Sequence, residues 1–407
     1  MMTFLKFLFW SLFGVLTIFC VCWFGVLIAK SISEYNVMIG ASSARSQMAE
    51  KDKSAPIRLG VVCDNENSPD LYYGAKFEVE KINAAGGVNG RKLELVFKDN
   101  KGSAEKMLQI TQEFCEDLKT VAVIGPEYSS FCEMVAPNFE YYGILQISPL
   151  ATSPDLTTKG FSRFFRNTPD DTALIKVSAE FAEFLKWKNV AIAYYDDSYS
   201  GSLATMFSNQ ASKHFIKIPV MEMLPENAHS KHVMEAFSHW KKAYEFDAIF
   251  VISKTEKDLR TALEQLEKAN INKPVMLDLG HDVNDLKKFL VKGMTIYMPI
   301  LVDLKTPEFQ KMSEEYKQMI NQPISPLAFQ SAEAVMLLAE AMKKVGSSDP
   351  AKVAQTMKKM KYSDNISGEI AFTENGNIDR NIIFLEIKNG QIEKLPMDLK
   401  NSGETGK

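Results

Sequence analysis

The chain has 407 residues, 46% of them hydrophobic and 24% charged, with a formal net charge of −4. An acidic balance without basic blocks argues against a nucleic-acid binder, which is usually basic overall. The length allows two or three domains with a large core, and no low-complexity tract dominates.

Phe7 to Ala29 is an apolar run of 23 residues, FLFWSLFGVLTIFCVCWFGVLIA, with Lys6 before it and Lys30 after it. At about 1.5 Å per residue it spans a bilayer core of about 30 Å. A cleaved secretory signal has an apolar core of only about 7–15 residues with a small-residue site close behind. Here the nearest such cluster, Ala41-Ser42-Ser43-Ala44, lies well downstream. Residues 1–30 therefore read as an uncleaved N-terminal membrane anchor, with a long cleaved signal as the alternative. Lys6 and Lys30 nearly balance, so charge does not fix the orientation. Residues 31–55 are small and charged without apolar periodicity, and read as a flexible linker. Residues 396–407, ending in NSGETGK, are expected to fray as a disordered tail.

From Pro56 onward, short apolar runs alternate with longer amphipathic stretches. The runs are 57–63, 93–99, 120–125, 143–148, 189–195, 247–253, 274–279 and 294–300. Their near-continuous Val, Ile and Leu content is that of parallel strands covered on both faces. Residues 72–84, 103–118 and 171–187 read as helices between them. Such alternation predicts a doubly wound α/β fold. The glycines of INAAGGVNGRKLELVFKD follow a helix and open a strand. A dinucleotide loop does the reverse, so they read as a helix C-cap and a turn. Cys63, Cys115 and Cys132 of the soluble part read as buried free thiols, or as one disulfide plus a thiol in an oxidising compartment.

The runs TVAVIGPEYSS and GILQISPLATS both leave a strand on small hydroxyl residues. Ligands of open α/β sheets bind beyond the carboxyl ends of strands, where helix N-termini point. Free N–H groups there favour an anion. Ser129, Thr152 and Ser153 thus fit either an anion-binding site or plain helix caps.

INAAGGVNGRKLELVFKDN, VIGPEYSS, GILQISPLATSPDLT, AYYDDSYSGSLA and SGEIAFTENGNIDRNIIFLEIKNGQI occur in that order from about residue 56 to 393. The set resembles the periplasmic solute-binding proteins of the branched-chain amino-acid class, type I fold, which serve ABC transporters. The resemblance implies two doubly wound lobes joined by a three-stranded hinge. Lobe I would comprise 56–168 and 301–361, lobe II 169–300 and 362–395. It implies a ligand carboxylate held by Ser129, with Ser130 beside it, by the Leu150 N–H and by the Thr152 hydroxyl. From lobe II, Tyr199 would close over the ligand.

This sequence departs from the family pattern at the ammonium site. Leu279 stands where an acidic residue is usual, and Asp278 or Asp282 would serve instead. The family's second aromatic of lobe II is Ser253 or Lys254 here, and Lys254 would suit a further acidic group. The loop after the first strand is short, so Tyr72 or Tyr73 would cover the ligand. His232, Glu235 and His239 share a helix face that reads as solvated above Phe237 rather than as a metal site. No nucleophile–base constellation, P-loop or zinc spacing is found, and no cofactor is expected.

The reading is a non-enzymatic extracytoplasmic protein that binds an amino acid, or a related small carboxylate or amide, by hinge closure. An ABC permease in the membrane is the expected partner. The alternative is a tethered ligand sensor of the same fold signalling through a separate protein.

Overall fold

The computed structural model describes residues 40–51, 53–66, 68–225, 230–283, 286, 293–396 and 399–400. The run at 7–29, expected to be a membrane anchor, lies outside them. Among the described residues no helix is long and apolar enough to cross a membrane.

The described residues open on a helix over 40–51, α1. Strand–helix alternation then begins: β1 (Ile57–Cys63), α2 (Pro69–Ala84), β2 (Leu93–Asp99), α3 (Ala104–Glu116), β3 (Thr120–Ile124), α4 (Ser129–Tyr142), β4 (Leu145–Ser148), α5 (Asp155–Thr158) and β5 (Phe164–Arg166). These strands form a parallel sheet in the order β2-β1-β3-β4-β5. A second set follows: α6 (Asp171–Phe184), β6 (Val190–Tyr195), α7 (Ser198–Lys213), β7 (Met221–Leu224), α8 (Ser230–Ala243), β8 (Ala248–Ile252), α9 (Glu256–Lys268), β9 (Val275–Leu277) and β10 (Thr295–Ile300).

The chain then returns to the first lobe with α10 (Pro307–Ile320), α11 (Pro326–Val345), α12 (Pro350–Lys359), β11 (Lys361–Asp364), β12 (Gly368–Phe372) and β13 (Ile378–Asp379). It ends with β14 (Asn381–Lys388), β15 (Gln391–Lys394) and β16 (Leu399–Lys400). The second sheet runs β15-β14-β10-β9-β8-β6-β7, with β16 on β14. All eight apolar runs of the sequence are strands, and the period-free burial follows, since β3, β8 and β9 are buried along their whole length.

Both lobes are packed by helices on each side of the sheet. In lobe I, α2 and α11 approach backbone to backbone. A Cβ on Gly74 would lie 2.0 Å from the Ala328 carbonyl oxygen, so only glycine fits there. In lobe II the Phe181 ring of α6 stacks on Phe384 of β14 at 3.8 Å.

Three expectations change. Residues 40–51 are helical rather than flexible, because Arg45 and Ala49 are buried against lobe I. The second boundary of lobe I moves from residue 361 to about 380. Ile370, Phe372 and Ile378 share a core with β1 and α11, whereas Ile382 and Phe384 join that of lobe II. The short sheet β11-β12-β13 therefore belongs to the first lobe. The tail also begins later than 396, since Leu399–Lys400 pairs with β14.

The chain crosses between lobes after β5, after β10 and between β13 and β14. One side chain ties these crossings together. Arg380 is 2% exposed and donates through Nη1 to the Asn167 carbonyl at 3.4 Å and through Nη2 to the Leu301 carbonyl at 2.9 Å. Its Nη1 also meets Glu333 Oε2 of α11 at 2.6 Å, and both side chains are fully buried. Asn167 Nδ2 donates to the same Glu333 oxygen at 2.9 Å and to the Gln330 carbonyl at 2.8 Å. Breaking one side of a buried ion pair leaves the other charge uncompensated, at a cost of about 3–5 kcal/mol. Arg380→Met is expected to lose that much stability in urea unfolding, and Arg380→Met with Glu333→Leu to recover most of it. A loss below about 1 kcal/mol in the single variant would contradict the assigned role.

Candidate functional site

The site lies where β3 and β4 of lobe I empty towards lobe II. Most helices here carry a side-chain cap: Ser103, Asp170, Asp197, Thr255, Thr306, Ser325 and Asp349 each accept a first-turn N–H. Helix α4 does not. Its N-cap is Tyr128, which makes no side-chain cap bond, and Ser129 is already its first helical residue. The cap explanation for Ser129 therefore fails. The first-turn N–H groups of α4 keep the partial positive charge that favours an anion.

The Ser129 hydroxyl accepts the Ser153 N–H at 3.1 Å, so its own proton is left to donate outward. Ser130 is exposed beside it. The Leu150 N–H has no acceptor among the described residues. Thr152 is no cap either, because α5 starts from Pro154. Its carbonyl accepts the Asp171 N–H at 3.0 Å, and its hydroxyl lies near enough to the Asp171 carboxyl group to favour the ionised form.

The loop carrying these donors is held from beneath. Arg166 is fully buried and donates through Nη1 to the Ser153 carbonyl at 2.6 Å, through Nη2 to Thr157 Oγ1 at 2.8 Å and through Nε to Asn377 Oδ1 at 2.6 Å. Below it, Ser148 Oγ donates to the Pro126 carbonyl at 2.9 Å and accepts the Ala151 N–H at 3.1 Å. The ISPLATSP stretch is thus a loop fixed from the inside by its own Ser148 hydroxyl and by the Arg166 guanidinium, which leaves its outer donors for a ligand.

Lobe II contributes Tyr199, which donates to Asp278 Oδ2 at 2.9 Å. The sequence-expected pair is brought together. Asp278 is buried, and its Oδ1 lies 2.9 Å from His281 Nε2. His281 Nδ1 lies 3.2 Å from Glu256 Oε1. Carboxylates only accept, so both ring nitrogens donate and the ring is an imidazolium. Burial opposes that charge, but the neighbouring Asp278 carboxylate and the bonds to both acids outweigh it and raise the His281 pKa to about 10. Burial together with the Asp278 charge holds the Tyr199 phenol far above its ordinary range.

Asp171, which the sequence reading passed over, is the acid left unneutralised. It is 6% exposed, and its Oδ1 has no partner among the described residues. Burial raises its pKa to about 6, against the Thr152 hydroxyl and the Arg166 charge. Its charge acts on Tyr199, as does that of Asp278. The signal was hidden because Asp170-Asp171 reads as an ordinary acidic helix start, and Asp170 is indeed the cap of α6. His281 was equally silent, one histidine after an apolar strand.

Other expected residues fall elsewhere. Lys254 Nζ of lobe II lies 4.8 Å above the Tyr128 ring of lobe I, so it spans the cleft instead of waiting for an acid. Tyr73 packs against the cluster of lobe I that contains Phe77, Phe309 and Tyr316, with its ring 5.5 Å from that of Tyr72. A cavity of about 400 Å³ lies beside the site between the lobes, lined by Leu279, His281, Leu301, Phe309, Phe329 and Gln330 among others. Ser129, Thr152, Tyr199 and Asp278 do not line it. Cys63, Cys115 and Cys132 are free and buried, and burial pushes their thiols up to about 12. His232 and His239 are exposed above buried Phe237, and no metal-holding group of side chains occurs among the described residues.

The imidazolium makes stability depend on pH in one direction. Its folded pKa of about 10 lies above the ordinary 6.5, so its contribution is complete below 6.5 and lost as pH rises through 10. The melting-temperature gap between the wild type and His281→Gln should therefore narrow steadily from pH 6.5 to 10. A gap constant over that range would show the ring to be neutral.

The profile of the family described as "Receptor family ligand binding region" matches residues 72–384. The Leucine-, isoleucine-, valine-, threonine-, and alanine-binding protein of Pseudomonas aeruginosa is 27% identical over 309 residues, covering 75% of this chain and 81% of that one. An ABC transporter substrate-binding protein from Desulfitobacterium hafniense, in complex with Leu, superposes with a TM-score of 0.70 at 28% identity, covering 84% and 100% of the two chains. The branched-chain amino acid transporter substrate binding protein of Streptococcus pneumoniae, in complex with isoleucine, shares the fold with a TM-score of 0.71 at 23% identity, covering 85% and 99%.

Proposed function

Because this chain belongs to the receptor-type ligand-binding-region family, as a periplasmic solute-binding protein of type I fold, we propose that it captures a small aliphatic α-amino acid between its lobes. The ligand is delivered to an ABC permease on the outer face of the cytoplasmic membrane. Residues 7–29 keep the protein there.

The observation that carries this reading is the pairing of opposite fields across a few residues. On one side stand the uncapped start of α4, the outward Ser129 proton and the vacant Leu150 N–H. On the other stands Asp171, with a buried and unpartnered oxygen, beside Thr152. The first set suits a carboxylate and the second an ammonium, which is the charge pattern of an α-amino acid. Asp278 was the expected ammonium partner. Its charge is already met by His281, so it acts by orienting the Tyr199 ring instead. The Leu- and isoleucine-bound relatives support an aliphatic side chain.

The test is thermal shift of the full chain with leucine, isoleucine, valine, threonine and alanine. Ligand at 100 times Kd stabilises the native state by about 2.7 kcal/mol. Ser129→Ala with Thr152→Ala should abolish that shift and lower ligand-free stability only by about 0.5–1.5 kcal/mol, for the lost bond to the Ser153 N–H. A retained response would remove the assigned pocket.

The Asp171 role has its own signature. A hydrogen bond to a charged group contributes about 1.5–3 kcal/mol, so Asp171→Asn should weaken binding roughly 10- to 150-fold at pH 7.5. In the wild type, the ammonium needs the ionised acid, whose pKa is about 6. Affinity should be level above that value and about tenfold weaker one unit below it, and Asp171→Asn should flatten the profile. Calorimetric titrations giving one Kd on both sides of that pKa would assign the ammonium elsewhere.

A further inference from the structure

Helix α1 carries a contact network out of proportion to its length. Arg45 is fully buried. Its guanidinium donates to Phe114 O at 3.1 Å, Cys115 O at 2.9 Å and Asp117 O at 3.2 Å, all at the C-terminal end of α3. It also donates to Thr120 O of β3 at 2.9 Å and to Tyr142 O at the end of α4. Neither α3 nor α4 has a basic residue in its last turn. The terminal carbonyls of a helix have no partner within it and attract a cation. One arginine from outside thus serves two helix ends, and α4 is the helix that begins at Ser129.

The rest of α1 is seated as closely. Gly143 takes the left-handed conformation after α4, with φ 76°, and a Cβ there would lie 2.3 Å from Ser42 Oγ. At the far end, Ser46 Oγ donates to Asp349 Oδ1 at 3.0 Å, Ser348 Oγ to the Ala49 carbonyl at 3.2 Å, and Lys352 Nζ meets Glu50 Oε1 at 3.0 Å. Arg91 Nη1 reaches the Ala49 carbonyl at 3.4 Å. All these partners belong to lobe I. The helix runs from the ends of α3 and α4 to the start of α12.

We propose that α1 is a stiff stalk fixed to lobe I, with Arg45 as its pin. Ligand-driven closure, which rests on the function proposed above, then moves lobe II while lobe I stays fixed relative to the stalk.

Pulsed electron–electron distance measurements on the full chain test this. Cys20→Ala and Cys22→Ala remove the N-terminal thiols, and the three cysteines of the lobes are buried. Spin labels go on Ser43→Cys with Leu108→Cys in lobe I, or on Ser43→Cys with Lys268→Cys in lobe II, all exposed positions. The first pair should give one narrow distance, unchanged by saturating leucine. The second should shift with leucine. Arg45→Met should broaden the first distribution, and Arg45→Lys, a point charge that cannot span the five carbonyls, should broaden it partway. A broad first distribution in the wild type, a narrow one in both Arg45 variants, or a first distance that moves with leucine would overturn the stalk. Leucine shifting neither pair would instead count against the ligand assignment, with the stalk still judged by the first pair and the Arg45 variants.

Discussion

A single buried guanidinium holds the three inter-lobe crossings together, and the rest of the molecule depends on that constraint. Two lobes that hinge need crossings that bend without drifting apart. Arg380 provides this by bonding a carbonyl from each of the other two crossings while pairing with Glu333 on α11. Buried pairs of this kind contribute little net stability against an apolar substitute, so their value lies in geometry. The guanidinium is planar and its donors are fixed, which sets the relative positions of residues 167, 301 and 380. Asp171 follows the first of these crossings by four residues, so the hinge and the site share a frame.

The site is organised by leaving some groups unmet and saturating others. Arg166 and Ser148 consume the inward acceptors and donors of the ISPLATSP loop. His281 consumes the charge of Asp278. What remains is an uncapped helix start, a vacant N–H and one buried acid with a free oxygen. A vacancy of this sort costs stability in the empty protein, because a buried unsatisfied group loses its water without compensation. Such a cost is offset when a zwitterion enters, which is how a binding protein converts its own frustration into affinity. The Lys254–Tyr128 contact adds a weak bridge between lobes at the mouth. An exposed cation–π pair of this type contributes roughly 0.5–1 kcal/mol, enough to bias closure and too little to hold it.

The same economy of donors explains α1. Two helices of lobe I end without basic residues, and the missing charge comes from a segment whose composition reads as spacer. Arg45 therefore completes lobe I from outside its alternating strand–helix pattern. The α4 dipole then has a cation at one end and the proposed carboxylate at the other.

Much of this protein is settled by local chemistry. Buried parallel strands demand continuous apolar runs, so the eight that became β1–β4, β6 and β8–β10 were legible, as were α2, α3 and α6. Ser129, Thr152 and Ser153 stood out because strand ends in an α/β sheet are where ligands sit, and the structure removes the cap alternative for Ser129 and Thr152, while Tyr199 and Asp278 meet each other. Edge strand β7 and the strands β11–β13 are short and only partly buried, so no continuous buried run marks them. What only the tertiary structure decided are pairings between residues far apart in the chain. Asp278 meets a histidine three residues on, the Asp171 N–H meets the Thr152 carbonyl, Lys254 meets an aromatic ring on the other lobe, and a spacer became a helix through Arg45. Periodicity reports which face of an element is apolar. It does not report which distant carbonyl or carboxylate a polar group will meet, because that partner is chosen by the packing of elements and not by their neighbours in sequence.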